Sequence, residues 1–105
     1  KGMLYVSGQL SIDPDTREVA KGGIREHTRL ALDNVDRVLK AAGCRRDQVV
    51  LCRVYTPSVE NWGPINEEYA AFFGEHKPAR VVVSTTDLHF GCLVEIEAVA
   101  EMDED

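Results

Sequence analysis

Ile24-Arg25-Glu26-His27-Thr28-Arg29-Leu30-Ala31-Leu32-Asp33-Asn34-Val35-Asp36-Arg37-Val38-Leu39-Lys40-Ala41-Ala42-Gly43 is followed, after a short break, by Gln48-Val49-Val50-Leu51-Cys52-Arg53-Val54-Tyr55-Thr56. In the first run Ile24, Thr28, Ala31, Val35, Val38, Leu39 and Ala42 recur at helical spacing and make one apolar stripe. Gly43 stands where a left-handed residue closes a helix. The second run is apolar and rich in β-branched residues. It predicts a strand, stopped by Pro57. Toward the C-terminus a second helix is expected from Asn61, a favoured N-cap type, with Pro64 tolerated in its first turn. Trp62, Ile65, Tyr69, Phe72 and Phe73 keep helical spacing and read as core. Gly74 and Pro78 bracket the end. Val81 to Thr86 and Leu93 to Glu101 predict two last strands, joined as a hairpin through Asp87-Leu88-His89-Phe90-Gly91.

Toward the N-terminus, Met3 to Gln9 predicts a strand with Leu4, Val6 and Gly8 on one face and Tyr5 and Ser7 on the other. Asp13-Pro14-Asp15-Thr16 is a turn signal. Arg17 to Ala20 can return as a short second strand before Gly22-Gly23. The expected order is β-β-α-β-α-β-β, an α+β sandwich with one mixed sheet and two helices on one face. Its strands are apolar on both faces: Val81 and Val83 against Val82, Leu51 and Tyr55 against Cys52 and Val54. Two helices cover one face only, so the other is expected to be buried in a homo-oligomer.

The chain has 105 residues, which favours a single domain, and a formal net charge of -6 with a pI near 5.0. Nucleic-acid binding calls for a basic stripe, and the basic residues here are scattered, so no nucleic-acid partner is expected. No apolar run approaches the roughly 20 residues that span a bilayer, and no secretory leader pattern is present, so no membrane partner is expected. Cys44, Cys52 and Cys92 are odd in number and form no CxxC pair, which suggests neither a disulfide framework nor a zinc site. A reducing, cytoplasmic setting fits. His27, His76 and His89 lack metal spacing too. The acidic run Glu101-Met102-Asp103-Glu104-Asp105 reads as a solvated end.

Chemistry is concentrated in two segments, Pro78-Ala79-Arg80 and Val94-Glu95-Ile96-Glu97-Ala98. The first sets an Arg at the mouth of a Val-rich strand. The second sets carboxylates at alternate positions of the next. A guanidinium that grips a carboxylate, near a carboxylate that handles a proton, is the minimum kit for chemistry on a small organic acid.

Five motifs in order carry a family resemblance across nearly the whole chain: Tyr5-Val6-Ser7-Gly8-Gln9; Ala31-Leu32-Asp33-Asn34-Val35 leading to Leu39-Lys40-Ala41-Ala42-Gly43; Asn66-Glu67-Glu68-Tyr69 with Phe72-Phe73-Gly74; Pro78-Ala79-Arg80; and Val94 to Ala98. The chain resembles the Rid/YjgF family of enamine and imine deaminases, also called the endoribonuclease L-PSP family. The resemblance implies a chorismate-mutase-like (bacterial trimeric type) fold and a homotrimer with clefts between neighbouring subunits. It implies hydrolysis of reactive 2-imino acids, 2-iminobutanoate and 2-iminopropanoate, to 2-oxo acids and ammonia, with no metal or organic cofactor.

By the same resemblance Arg80 is the carboxylate anchor and Glu95 the water-activating residue. Asn66 is a polar neighbour of the site, Ser7 and Gly8 border the cleft, and Val82 offers its backbone N–H where many members carry Cys. Phe90 either lines the pocket or packs as a core aromatic, and Glu97 is structural or solvent-facing. Three departures bear on substrate size and rate. The family's upstream Gly-Pro-Tyr segment, whose Tyr reaches the cleft, is not in this chain, so a short N-terminal segment is expected to be missing. Leu88-His89 stands where Leu-Pro is common, and Val81 follows Arg80 in place of Ser or Thr. The alternative is a regulatory trimer that binds a small 2-oxo acid without turnover. RNA cleavage, attributed to some relatives, fits poorly with the acidic charge.

Overall fold

A computed structural model describes residues 2–103. Glu104 and Asp105 of the acidic run lie outside the described residues. Four strands and two long helices follow one another as β1 (Met3–Leu10), α1 (Ile24–Ala41), β2 (Val49–Thr56), α2 (Trp62–Phe73), β3 (Ala79–Ser84) and β4 (Glu95–Glu101). They form one mixed sheet in the order β1-β4-β2-β3. The two helices pack on one face of it. The α+β architecture expected from the sequence is thus present, with two changes of detail.

The first change is at Arg17 to Ala20. No second strand forms there: Ile12 and Val19 make one isolated antiparallel bridge. Asp13 Oδ1 accepts from the amides of Asp15 and Thr16, and Arg17 takes φ +65°. The turn is too tight, and its local side-chain bonds too dominant, for a ladder to continue.

The second change is the hairpin. β3 and β4 do not pair. β2 lies between them, parallel to β3 and antiparallel to β4. β2 is apolar on both faces and takes the sheet centre, which leaves β3 as an edge strand.

The helix-side face is closed. Cys52 and Val54 of β2 and Ile96, Ala98 and Ala100 of β4 meet Ala31, Leu32, Val35 and Leu39 of α1 and Ile65, Tyr69 and Phe73 of α2. Leu32 and His27 are buried too, outside the stripe expected for α1. Each fully buried Leu or Ile contributes about 1.5–3 kcal/mol. Gly43 closes α1 at φ +78°, as its position implied. Asn61 precedes α2 without capping it, because its Nδ2 donates to Thr56 Oγ1 at 2.9 Å. The opposite face carries apolar side chains in the open: Met3, Tyr5 (73 % exposed), Val50, Val81 and Val83.

Candidate active site

Arg80 enters β3 at the sheet edge. It pairs in register with Cys52, and Cys52 pairs with Ala98 on β4. Directly paired residues share a face, so Arg80 points to the helix side. There α2 covers it with one face of its first two turns, Trp62, Asn66 and Tyr69, at i, i+4 and i+7. Arg80 Nη1 donates to Asn66 Oδ1 at 2.7 Å. Its Cζ lies 4.8 Å from the Tyr69 ring centroid and 5.5 Å from that of Trp62. The guanidinium thus stands within cation–π range of two rings on one face of α2 and donates to one amide oxygen, with no further hydrogen bond among the described residues. Among the described residues no carboxylate lies within ion-pair distance of it. A cavity of about 420 Å³ opens beside it, lined by Asn66, Tyr69, Phe73, His76, Pro78 and Arg80 among others. Burial pushes the Tyr69 hydroxyl far above its usual pKa, and the thiol of buried Cys52 upward as well.

Glu95 opens β4 on the other face. It pairs with Tyr55 on β2 and Leu10 on β1. The β1–β4 register shifts between Val6 and Gln9, a bulge that ends the strict alternation of β1 at Val6. Gly8, placed with Leu4 and Val6 by alternation, instead meets Glu95. A Cβ on Gly8 would stand 2.5 Å from Glu95 Oε2 and 2.9 Å from Glu95 Cδ. Gly8 is therefore the seat of the Glu95 carboxylate. Ser7 is exposed beside it. Glu97, two residues on, accepts from the Tyr55 hydroxyl and lies 3.7 Å from Arg53 Nη1. That bond holds the Tyr55 proton and raises its pKa.

One chain thus brings Arg80 to Asn66, and Glu95 to Gly8, but does not bring the two groups together. They lie on opposite faces with β2 between their strands. Val82 shares Arg80's face and packs half-buried against the core. Phe90 is no core aromatic. It is 71 % exposed, with φ +62°, in a single helical turn over 89–91. Tyr69 is core, as its spacing implies, whereas Trp62 is half-exposed. Their spacing from Asn66 along α2 is the signal that sets them over the Arg. Among the described residues no cluster of three metal-ligating side chains occurs. No helix among them is long and apolar enough to cross a membrane.

The family model described as Endoribonuclease L-PSP matches residues 1–102. The chain belongs to this family, the YjgF/Rid family. It is 43 % identical over 97 residues to a RutC family protein of Pyrococcus horikoshii, covering 92 % of this chain and 77 % of that one. It is 38 % identical over 97 residues to the 2-iminobutanoate/2-iminopropanoate deaminase of Rattus norvegicus, covering 92 % and 71 %. The YjgF gene product of E. coli superposes with a TM-score of 0.89 at 34 % identity, covering 95 % of this chain and 80 % of that one. The fold is the chorismate-mutase-like fold of those structures.

Proposed function

We propose that the protein hydrolyses short-lived 2-imino acids such as 2-iminobutanoate and 2-iminopropanoate to 2-oxo acids and ammonia, at clefts between neighbouring copies in a homotrimer. One observation carries this: Arg80 and Glu95 are each prepared by their surroundings, yet stand on opposite faces of one sheet. A second copy, packed across the apolar open face and around the free β3 edge where Arg80 stands, can bring its Glu95 to this chain's Arg80. Mammalian relatives named as such deaminases support the substrate class.

In this scheme Arg80 takes the substrate carboxylate through its free fork while Asn66 fixes the fork's plane. The N–H of Val82 on the edge strand adds a further donor. Glu95 of the neighbouring copy accepts a proton from water as its oxygen attacks the C=N carbon. The nitrogen gains a proton, and the carbinolamine collapses to the keto acid and ammonia. Ser7 and Gly8 shape the Glu95 side, and Phe90 screens the mouth. The chemistry is hydrolytic and asks for no redox or metal step. Three free cysteines suit a reducing, cytoplasmic setting.

The test couples the protein to a pyridoxal-phosphate threonine dehydratase with semicarbazide present to trap the imine. Less trapped adduct and faster 2-oxobutanoate release are expected. A folded assembly that changes neither would favour the alternative, a trimer that binds a small 2-oxo acid without turnover. Mixing unfolded Arg80→Ala and Glu95→Gln chains and refolding them should then restore roughly a quarter of the sites, since each mixed cleft can draw one intact group from each chain. No recovery on mixing would show that the cleft is not shared.

A further inference from the structure

A buried polar chain runs behind the Glu95 half of the site. His27 on α1 is 4 % exposed, and Ser11 and Thr56 are fully buried. His27 Nδ1 lies 2.7 Å from Ser11 Oγ and 3.2 Å from the Leu93 amide nitrogen. An amide can only donate, so Nδ1 is the acceptor, the Ser11 hydroxyl also donates to it, and the ring proton is on Nε2. On the other side of Leu93, its carbonyl accepts from Thr56 Oγ1 at 2.8 Å. Thr56 in turn accepts from Asn61, the residue before Trp62. Leu93 is thus held at both its amide and its carbonyl, two residues before Glu95.

We infer that His27 is a positioning residue for the proposed deaminase: the lone pair on its Nδ1 anchors the Leu93 amide and so sets Glu95 on its seat at Gly8. This rests on the assignment of Glu95 as the water-activating group. The tether needs a neutral ring. A protonated imidazole carries N–H at both nitrogens and turns a donor toward the Leu93 amide, which also donates.

Burial lowers the pKa of His27 below its usual 6.5, while Glu26 on the same helix pulls it upward. The groups facing the ring from the end of β1 and from the approach to β4, Ser11 and the Leu93 amide, are uncharged. Buried Cys92, next to Leu93 in the chain, is the titratable neighbour on that segment. The ring therefore stays neutral at neutral pH, and the tether is lost only as pH falls through the lowered pKa.

The experiment uses the assembled protein, His27→Gln and His27→Leu. It measures kcat and KM for the trapped-imine reaction across about pH 5 to 8, and the imidazole nitrogen shifts by NMR. The wild type should lose kcat, not KM, on the acid side with the apparent pKa of the ring, whose proton sits on Nε2. His27→Leu should lower kcat on the order of tenfold at neutral pH with KM unchanged, and converge on the wild type as pH falls through the ring's pKa. His27→Gln, whose amide oxygen is an acceptor that does not titrate, should regain the neutral-pH kcat and lose the acid inflection. An inflection at the pKa of the wild-type ring that persists in His27→Gln, an undiminished neutral-pH kcat in His27→Leu, or a proton on Nδ1 would overturn the proposal.

If the wild type shows no turnover, the deaminase assignment fails by itself and the NMR arm decides. Leu93 and Glu95 amide shifts that follow the His27 titration, and cease to do so in His27→Gln, support the tether. Shifts that ignore it sink it. The same two measurements decide if His27→Leu does not fold.

Discussion

The two faces of this sheet are made from the same strands but finished differently. On the helix side the apolar residues are buried under the two helices: Arg80 lies half-buried under α2 and gives one hydrogen bond to Asn66. On the open side Tyr5, Val81 and Val83 stand in solvent beside a polar set of Tyr55, Glu95 and Glu97. A closed face explains the fold of one chain. An open face that mixes apolar side chains with a seated carboxylate fits a surface awaiting a second copy. The difference teaches that Arg80 and Glu95, the two groups of the proposed site, stand in two separate neighbourhoods.

The largest effect should come from Arg80→Ala on the closed face. In the proposed scheme it removes a charge-assisted, two-pronged contact of about 3–5 kcal/mol, so kcat/KM should fall on the order of 10³-fold and 2-oxo acid binding with it. Retained binding by calorimetry would place the anchor elsewhere. Glu95→Gln on the open face should lose on the order of 10²-fold in kcat while carboxylate binding persists. Gly8→Ala should imitate it. The added Cβ displaces a flexible carboxylate rather than backbone, so turnover should fall with only a small change in melting temperature. A Gly8→Ala enzyme of full activity would detach Glu95 from its seat and from the chemistry.

Legibility in the sequence followed the same division. α1, β2 and α2 were readable because apolar periodicity reports burial against their own chain. Arg80 and Glu95 were nameable as chemical types, and Asn66 as a neighbour. Their faces were not, because a pattern within each strand is silent on which strand lies between. β2 entering between β3 and β4 is a long-range choice, and it turned an expected hairpin into two separated strands. Gly8 departs from the alternation for a local reason: one extra residue at the bulge between Val6 and Gln9 reverses the face of the residues after Val6. His27 was passed over because a lone His on a helix gives no sign of its partners until Ser11 and Leu93, distant in sequence, are folded against it.

A smaller test separates the two carboxylates of β4 that share the open face. Glu97 is engaged by the Tyr55 hydroxyl and stands near Arg53, whereas Glu95 rests with its carboxylate against Gly8. If that contrast divides structure from chemistry, Tyr55→Phe should cost stability without touching kcat. Deleting one half-buried hydrogen bond to a charged group is worth about 1–2 kcal/mol, and in a domain of this size about 1 kcal/mol moves the melting temperature by roughly 4–8 °C. The melt must be run at fixed protein concentration, because an assembly's stability includes its association. A drop in kcat of the size expected for Glu95→Gln would mean that Tyr55 and Glu97 belong to the reacting set, and the open face would then hold two working carboxylates rather than one.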